Sequence, residues 1–373
     1  MIRKLFASNF RSLGEGVEIP LGQVNVLVGQ NAAGKSSIID LIRFLRDAVH
    51  QNAEQALSTR GGLPSIKRRG SAPDAAVRVG AEFNRSSVET SWEFSLMPEG
   101  EADFEVEYER YQATIPLHGK DLLIVHEWQC GNHQQVSEGG RSLNTGPRRL
   151  AGPAYFDDDY PFRDLRDACF YSLFPNELRP PQKPDPMRQP LNEHGTNWTS
   201  VLRRLKRATA GRDLIAALGR VVGDITDYRV NQVGGYLAVE FCHGGDTWLD
   251  TTQESDGTLR LAGLLTALLQ DPAPSVICIE EPELTVHPGA LPVLFDFIRE
   301  ASQRSQIVIS THSPELLDLF DPEQLLVVER HGTTTVGPMD PAQRELVRKH
   351  LLSTSDLLRS EGLRQAPPTA VEG

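Results

Sequence analysis

The sequence predicts an α/β fold with a mixed sheet core, an antiparallel β subdomain and a helical lobe. Three observations carry that prediction. An apolar run, Val24 to Val28, ends in a glycine loop and passes into a segment of helical spacing. Residues from Val77 to about Val125 alternate polar and apolar side chains, and from Gly257 onward helical segments alternate with short apolar strands. Strands alternating with helices imply a parallel sheet covered on its faces, whereas a period of two broken by tight turns implies an antiparallel meander.

In chain order, Ile2 to Phe6, Val17 to Ile19 and Val24 to Val28 read as strands, the last one buried. Ile38, Leu41, Ile42 and Leu45 then share one helical face. From Gln51 to Asp74 the chain turns polar and is punctuated by Arg60-Gly61-Gly62 and Lys67-Arg68-Arg69-Gly70, the composition of a mobile loop. Val77/Val79/Ala81/Phe83, Trp92/Phe94/Leu96, Phe104/Val106/Tyr108 and Leu122 to Val125 form the meander, with turns at Pro98-Glu99-Gly100 and His118-Gly119-Lys120. Gly131 to Gly152 reads as another loop. Pro180 to Pro190 carries five prolines and is expected to be an extended connector between lobes. Thr199 to Val222 reads as helical, with a basic run at Arg203-Arg204-Leu205-Lys206-Arg207. There follow a helix from Gly257 to Leu269, a strand from Val276 to Ile279, a helix from Ala290 to Ser302, and strands at Ile307 to Ile309 and Leu325 to Val328. The expected organisation is one domain over residues 1–364. Its parts are a phosphate-loop portion (1–50), a β subdomain (75–130), a helical lobe with connectors (160–250) and the rest of the core (251–340); 365–373 form a flexible, Pro-rich tail.

At 373 residues, 39% hydrophobic and 24% charged, the chain has globular composition and length for one large domain or two lobes. No apolar run reaches the ~18 residues of a membrane span, and Met1 to Phe6 alternates rather than forming a signal peptide's apolar stretch, so a cytoplasmic location without membrane contact is expected. The four cysteines form no Cys-x-x-Cys pair, and Cys130 and His133 lack the second ligand pair of a zinc site. A net charge of −12 opposes indiscriminate nucleic-acid binding, which leaves Lys67-Arg68-Arg69 and Arg203-Arg204-Lys206-Arg207 as local clusters for contact with DNA phosphates.

Gly29-Gln30-Asn31-Ala32-Ala33-Gly34-Lys35-Ser36 fits the phosphate-loop pattern between a strand and a helix, with Ser37 following. Its glycines let backbone N–H groups turn toward phosphate oxygens, the helix N-terminus adds positive potential, Lys35 reaches the β- and γ-phosphates, and the Ser36 hydroxyl ligates Mg²⁺. Val276-Ile277-Cys278-Ile279 delivers paired carboxylates, Glu280 to the Mg²⁺ shell and Glu281 to the attacking water. Ile307-Val308-Ile309 similarly delivers Ser310-Thr311-His312, from which His312 can donate to the γ-phosphate. Ser255-Asp256-Gly257-Thr258 caps an apolar helix.

Taken in chain order, the phosphate loop, the Ser255-Asp256-Gly257-Thr258 turn, the paired carboxylates and the strand-end His312 resemble an ABC-class ATPase. The opening strand with Asn9-Phe10-Arg11-Ser12 is similar to RecF-, OLD- and SMC-type heads, and Glu280-Glu281-Pro282-Glu283, Ser255-Asp256-Gly257-Thr258-Leu259-Arg260 and Ser310-Thr311-His312-Ser313-Pro314 resemble the AAA_21 group. The resemblance implies a P-loop NTPase of ABC-ATPase type with ATP and Mg²⁺ sandwiched in a head-to-head homodimer. Ser255 and Gly257 of one subunit would then cap the γ-phosphate bound by Lys35 of the other. It also implies Mg-dependent hydrolysis and a role as the regulatory or DNA-sensing ATPase of a repair or phage-defence system. Three departures bear on this. Position 280 holds Glu in place of the more usual Asp, only Gln182 and Gln189 are available for a glutamine loop, and the 61 residues after His312 are too few for a TOPRIM nuclease, so cleavage is expected from a separate effector. A nucleotide-gated clamp with negligible turnover and a transporter's ATPase subunit are the alternative readings.

Overall fold

The computed structural model describes residues 1–85, 88–100, 103–117, 120–129, 150, 162–187 and 189–367. The Cys130 and His133 pair, the turn at His118-Gly119, the expected loop from Gly131 to Gly152 apart from Leu150, and residues 368–373 of the tail lie outside them. The chain forms two compact units: Met1–Ala168 with Glu323–Glu345 and Leu363–Gly373, and Cys169–Pro322 with Leu346–Gly362.

The first unit begins with β1 (Ile2–Ser8), β2 (Val17–Pro20) and β3 (Val24–Val28), followed by α1 (Lys35–His50). The meander follows as β4 (Val77–Arg85), β5 (Val88–Glu99), β6 (Asp103–Leu117) and β7 (Lys120–Gln129). It is not a sheet of its own: β1 pairs antiparallel with both β2 and β4, which gives the order β2-β1-β4-β5-β6-β7. Period-two burial explains the pairing, because Leu5, Ala7, Val79, Ala81, Phe83, Trp92 and Phe94 are all buried. Phe44 of α1 packs 5.6 Å from Phe10 and 6.1 Å from Phe94, which seats the helix on this sheet. The stretch read as a mobile loop instead holds two short helices, α2 (Ala53–Ser58) and α3 (Leu63–Ile66). Asn52 caps the first at Gln55 N, and Ala53, Ala56, Leu57, Leu63 and Ile66 are buried, so packing outweighs the glycines and polar residues around them. Helix α4 (Phe162–Arg166) sets Phe162 edge-on to Trp92 at 5.0 Å.

The second unit contains β8 (Cys169–Tyr171), α5 (Pro175–Leu178), α6 (Trp198–Leu205) and α7 (Thr209–Val222). The single helix expected from Thr199 to Val222 is therefore two, interrupted at Lys206–Ala208. Within the region expected to be helical, residues 225–250 form an antiparallel sheet of β9 (Ile225–Val233), β10 (Tyr236–His243) and β11 (Thr247–Asp250). The Pro-rich stretch lies inside this unit rather than between lobes, and Gln182 exchanges two backbone hydrogen bonds with Leu237. Next come α8 (Asp256–Leu269), β12 (Val276–Glu280), α9 (Leu291–Ala301), β13 (Gln306–Thr311) and α10 (Pro314–Leu317). β12 lies between β13 and β8, parallel to both. From Thr258 to Leu269 every residue of α8 is buried, in keeping with a segment that is apolar apart from Thr258, Arg260 and Thr266.

The chain returns to the first unit as a hairpin, β14 (Leu325–His331) and β15 (Thr333–Pro338), with Gly332 at positive φ in the turn and β14 parallel to β3. Helices α11 (Pro341–Arg348) and α12 (Thr354–Ser360) follow. Among the described residues no helix is long and apolar enough to cross a membrane.

Candidate active site

In the first unit, the phosphate loop leaves β3, all five residues of which are buried, and opens α1. Ala32 (φ 63°) and Gly34 (φ 118°) take the left-handed conformations that curl its backbone. A Cβ on Gly34 would lie 2.3 Å from Thr334 Oγ1 and 2.7 Å from Ser12 Oγ, and one on Gly29 2.2 Å from Val328 O. Glycine is therefore required at both ends of the motif. Behind the loop, Thr334 Oγ1 bonds Ala33 O at 2.7 Å and Ser12 Oγ at 2.8 Å, and Ser12 Oγ meets Ser37 Oγ at 2.9 Å. Lys35 is buried, with Nζ donating to Gly29 O at 2.7 Å and Gln30 O at 3.2 Å, so its ammonium lies against the loop. Gln30, Asn31, Ala32 and Ser36 are exposed, and Arg330 Nη1 donates to Ala32 O at 3.2 Å.

Beside the loop lies a groove of about 680 Å³ whose lining includes Arg11, Arg60, Lys67, Arg68, Arg69 and Arg330. The basic cluster read from sequence thus belongs to a larger one, part of which is committed: Arg11 pairs with Asp40 at 2.8 Å and Arg60 with Asp47 at 2.7 Å. Two members of the other sequence cluster are engaged within their own unit. Arg204 Nη2 donates to Gln189 O at 2.6 Å, and Lys206 pairs with Asp227 beside the Tyr228 ring.

In the second unit, β12 and β13 deliver their polar tips side by side because Glu280 is in register with Ser310. Glu281 follows at φ 45°, its amide donating to Ser310 O at 2.9 Å. Its carboxylate lies 3.4 Å from His312 Nδ1, with both side chains partly open to solvent. Sequence reasoning gave no role to Glu283. Its Oε1 accepts from Thr311 Oγ1 at 2.7 Å and from His312 N at 3.2 Å, and so fixes the tip of β13. The signal was its place in Glu280-Glu281-Pro282-Glu283, but nothing in that run says which strand it reaches.

Ser255 is the exposed N-cap of α8 and accepts from Thr258 N at 3.1 Å. A Cβ on Gly257 would come within 2.8 Å of Thr285 O, so the turn is packed against the loop after β12. Arg179 braces the approach: Nη1 donates to Thr251 O (2.7 Å), Thr252 O (3.2 Å) and Glu254 O (3.1 Å), and Nη2 to Asp256 Oδ1 (2.5 Å). His243 reaches Glu254 Oε1 at 2.7 Å and Asp224 Oδ1 at 3.1 Å. Burial pulls its pKa down, but the hydrogen bonds to these two carboxylates prevail and raise it. Gln182 is buried and spends its amide on Glu177 O, Gly195 O and Thr199 N; Gln189 is exposed.

Among the described residues no cluster of three or more His, Cys, Asp or Glu side chains could hold a metal. Ser36 in the first unit and Glu280 in the second each carry an oxygen donor of the kind that Mg²⁺ takes.

The fold that carries these groups is that of a P-loop ATPase of the SMC-head kind. An SMC head bound to the C-terminal winged-helix domain of ScpA aligns with a TM-score of 0.55 at 17% identity, covering 90% of this chain and 96% of that one. The Smc head with an extended coiled coil from Pyrococcus furiosus, bound to the C-terminal domain of ScpA, aligns at 0.59 and 13% identity, covering 94% and 99%. The chain belongs to the AAA_21 family, described as "AAA domain, putative AbiEii toxin, Type IV TA system", whose model matches residues 24–124 and 158–318. An OLD nuclease from Thermus scotoductus is 22% identical over 369 residues; the match takes in 88% of this chain and 62% of that protein's length.

Proposed function

We propose that the chain binds and hydrolyses ATP with Mg²⁺, and that two copies close head-to-head on the nucleotide. The observation that carries this reading is the curled loop with Lys35 against its carbonyls, a cradle of backbone N–H groups and a cation suited to phosphate oxygens. Gly29 to Ser37 would hold the phosphates, with Lys35 at the β- and γ-groups. Ser36 and Glu280 would hold Mg²⁺, which neutralises charge on the phosphate oxygens. Glu281 would orient the attacking water and take its proton, His312 would donate to the γ-phosphate, and Ser255 and Gly257 of the second copy would complete the site. The family membership and the relation to an OLD nuclease support a regulatory or DNA-sensing role in repair or phage defence, with a separate effector such as a nuclease. DNA phosphates would contact the basic groove beside the loop.

Steady-state ATP turnover with and without duplex DNA tests this reading, using Lys35→Ala and Glu281→Gln as controls. Both substitutions are expected to reduce turnover by about 10² or more. Turnover unchanged in Glu281→Gln would refute the base assignment. Neutralising Lys67, Arg68 and Arg69 together is expected to weaken DNA binding and flatten its salt dependence; unchanged affinity would exclude the groove. Glu280, one methylene longer than Asp, supports the clamp as a second reading, which predicts nucleotide-driven dimers without turnover.

A further inference from the structure

We propose that Arg260 is a positioning residue that links the Ser255–Gly257 turn to Glu281, so that occupancy of the turn is felt at the base. The proposal rests on the reading of Glu281 as the group that activates water. Arg260 is 1% exposed, an expensive place for a permanently charged side chain. Both of its terminal nitrogens serve main-chain carbonyls: Nη1 donates to Leu173 O and Nη2 to Glu281 O, the latter at 2.7 Å. Among the described residues its Nε has no partner, and the Phe174 ring lies 5.4 Å away. A guanidinium held this way bridges two fixed points of backbone, a geometry that a single ammonium cannot reproduce.

Glu281 is the residue that needs holding. At φ 45° it occupies a region that non-glycine residues keep only when the surroundings impose it. Its amide is tied to Ser310 O on β13 and its carbonyl to Arg260 on α8, so both neighbouring peptides are fixed. That in turn aims the carboxylate at His312, 3.4 Å away. Arg260 stands five residues beyond Ser255 on a helix buried along its length, and Arg179 clamps the turn that leads into that helix. The turn, the helix and the base are thus joined by one continuous set of directional contacts. A displacement at Ser255 reaches Glu281 through a rigid element about 7.5 Å long.

The test compares Arg260→Met and Arg260→Lys with wild type for nucleotide affinity, turnover and thermal melting. For Arg260→Met the expected result is a kcat lowered about 10–100-fold with nucleotide affinity changed less than about 2-fold, and no further loss when Glu281→Gln is added. Arg260→Lys should recover only part of the loss. A folded Arg260→Met protein with wild-type kcat, or one that loses affinity and kcat together, overturns the proposal. If Arg260→Met does not fold, Arg179→Gln at the partly exposed clamp takes its place, with the same outcomes. Should wild type itself show no turnover, the ATPase reading fails but the linkage is still measurable. The His312 ring NMR resonances in Arg260→Met should then move toward their positions in Glu281→Gln, and resonances identical to wild type would overturn the linkage.

Discussion

The phosphate loop and the carboxylate–histidine region are held in opposite ways. The loop is set by backbone conformation: two left-handed residues, two glycines with no room for a Cβ, and hydroxyls of Ser12, Ser37 and Thr334 closing it from behind. The carboxylate–histidine region is set by charged side chains reaching main-chain atoms of other segments: Arg260 to Glu281, Glu283 to His312, and Arg179 to the turn before Ser255. A backbone-built site tolerates little change at any one residue. A side-chain-built site can shift as a set, which suits the response to nucleotide proposed for these groups.

Three substitutions test that contrast, in decreasing order of effect. Gly34→Ala forces a Cβ onto Thr334 and Ser12 at a φ of 118°. It should destabilise the first unit by about 2–4 kcal/mol and abolish nucleotide binding, as measured by denaturant melts and nucleotide titration. A normal melt with normal binding would show that the loop is adaptable. Glu283→Ala removes the acceptor for Thr311 Oγ1 and His312 N. The expected cost is about 1–2 kcal/mol, with kcat falling more than nucleotide affinity; equal losses in both would contradict a positioning role for this acid.

His243→Gln should have the smallest effect, and one that depends on pH. The folded-state pKa of His243 is raised above the ordinary 6.5, so its contribution to stability is complete below that value and disappears as pH rises through the folded-state pKa. Wild type should therefore exceed the variant in stability at pH 6, and the difference should shrink by pH 8. A constant difference would mean that the ring acts without its charge.

The sequence revealed much of one region and only parts of the other. Gly29 to Ser36 is contiguous, and each residue's task follows from local backbone geometry, so the loop could be placed between a strand and a helix at once. Ser255, Glu281 and His312 were also legible as candidates, each at the end of an apolar element. Their supports were not. Arg179 is 77 residues from Asp256 and Glu283 is 29 from His312, and no local period announces a contact across such separations. From Gln51 to Asp74 the few apolar residues are too widely spaced to show a period, yet Leu57, Leu63 and Ile66 are buried. The strands at 225–250 fall in the region expected to hold a helical lobe and connectors; β9 and β11 have exposed positions on both faces, and only β10 alternates clearly, with Leu237, Val239 and Phe241 buried.

By itself, the sequence determined which groups carry the proposed chemistry, because phosphate cradles, carboxylate pairs and helix caps depend on residue type and short spacing. Tertiary structure alone decided what holds them: which arginine meets which carbonyl, which acid fixes the histidine, and which basic residues share a groove. Those choices depend on distances between segments remote in the chain, and burial makes them binding, since a charge removed from water must find its partners in the fold.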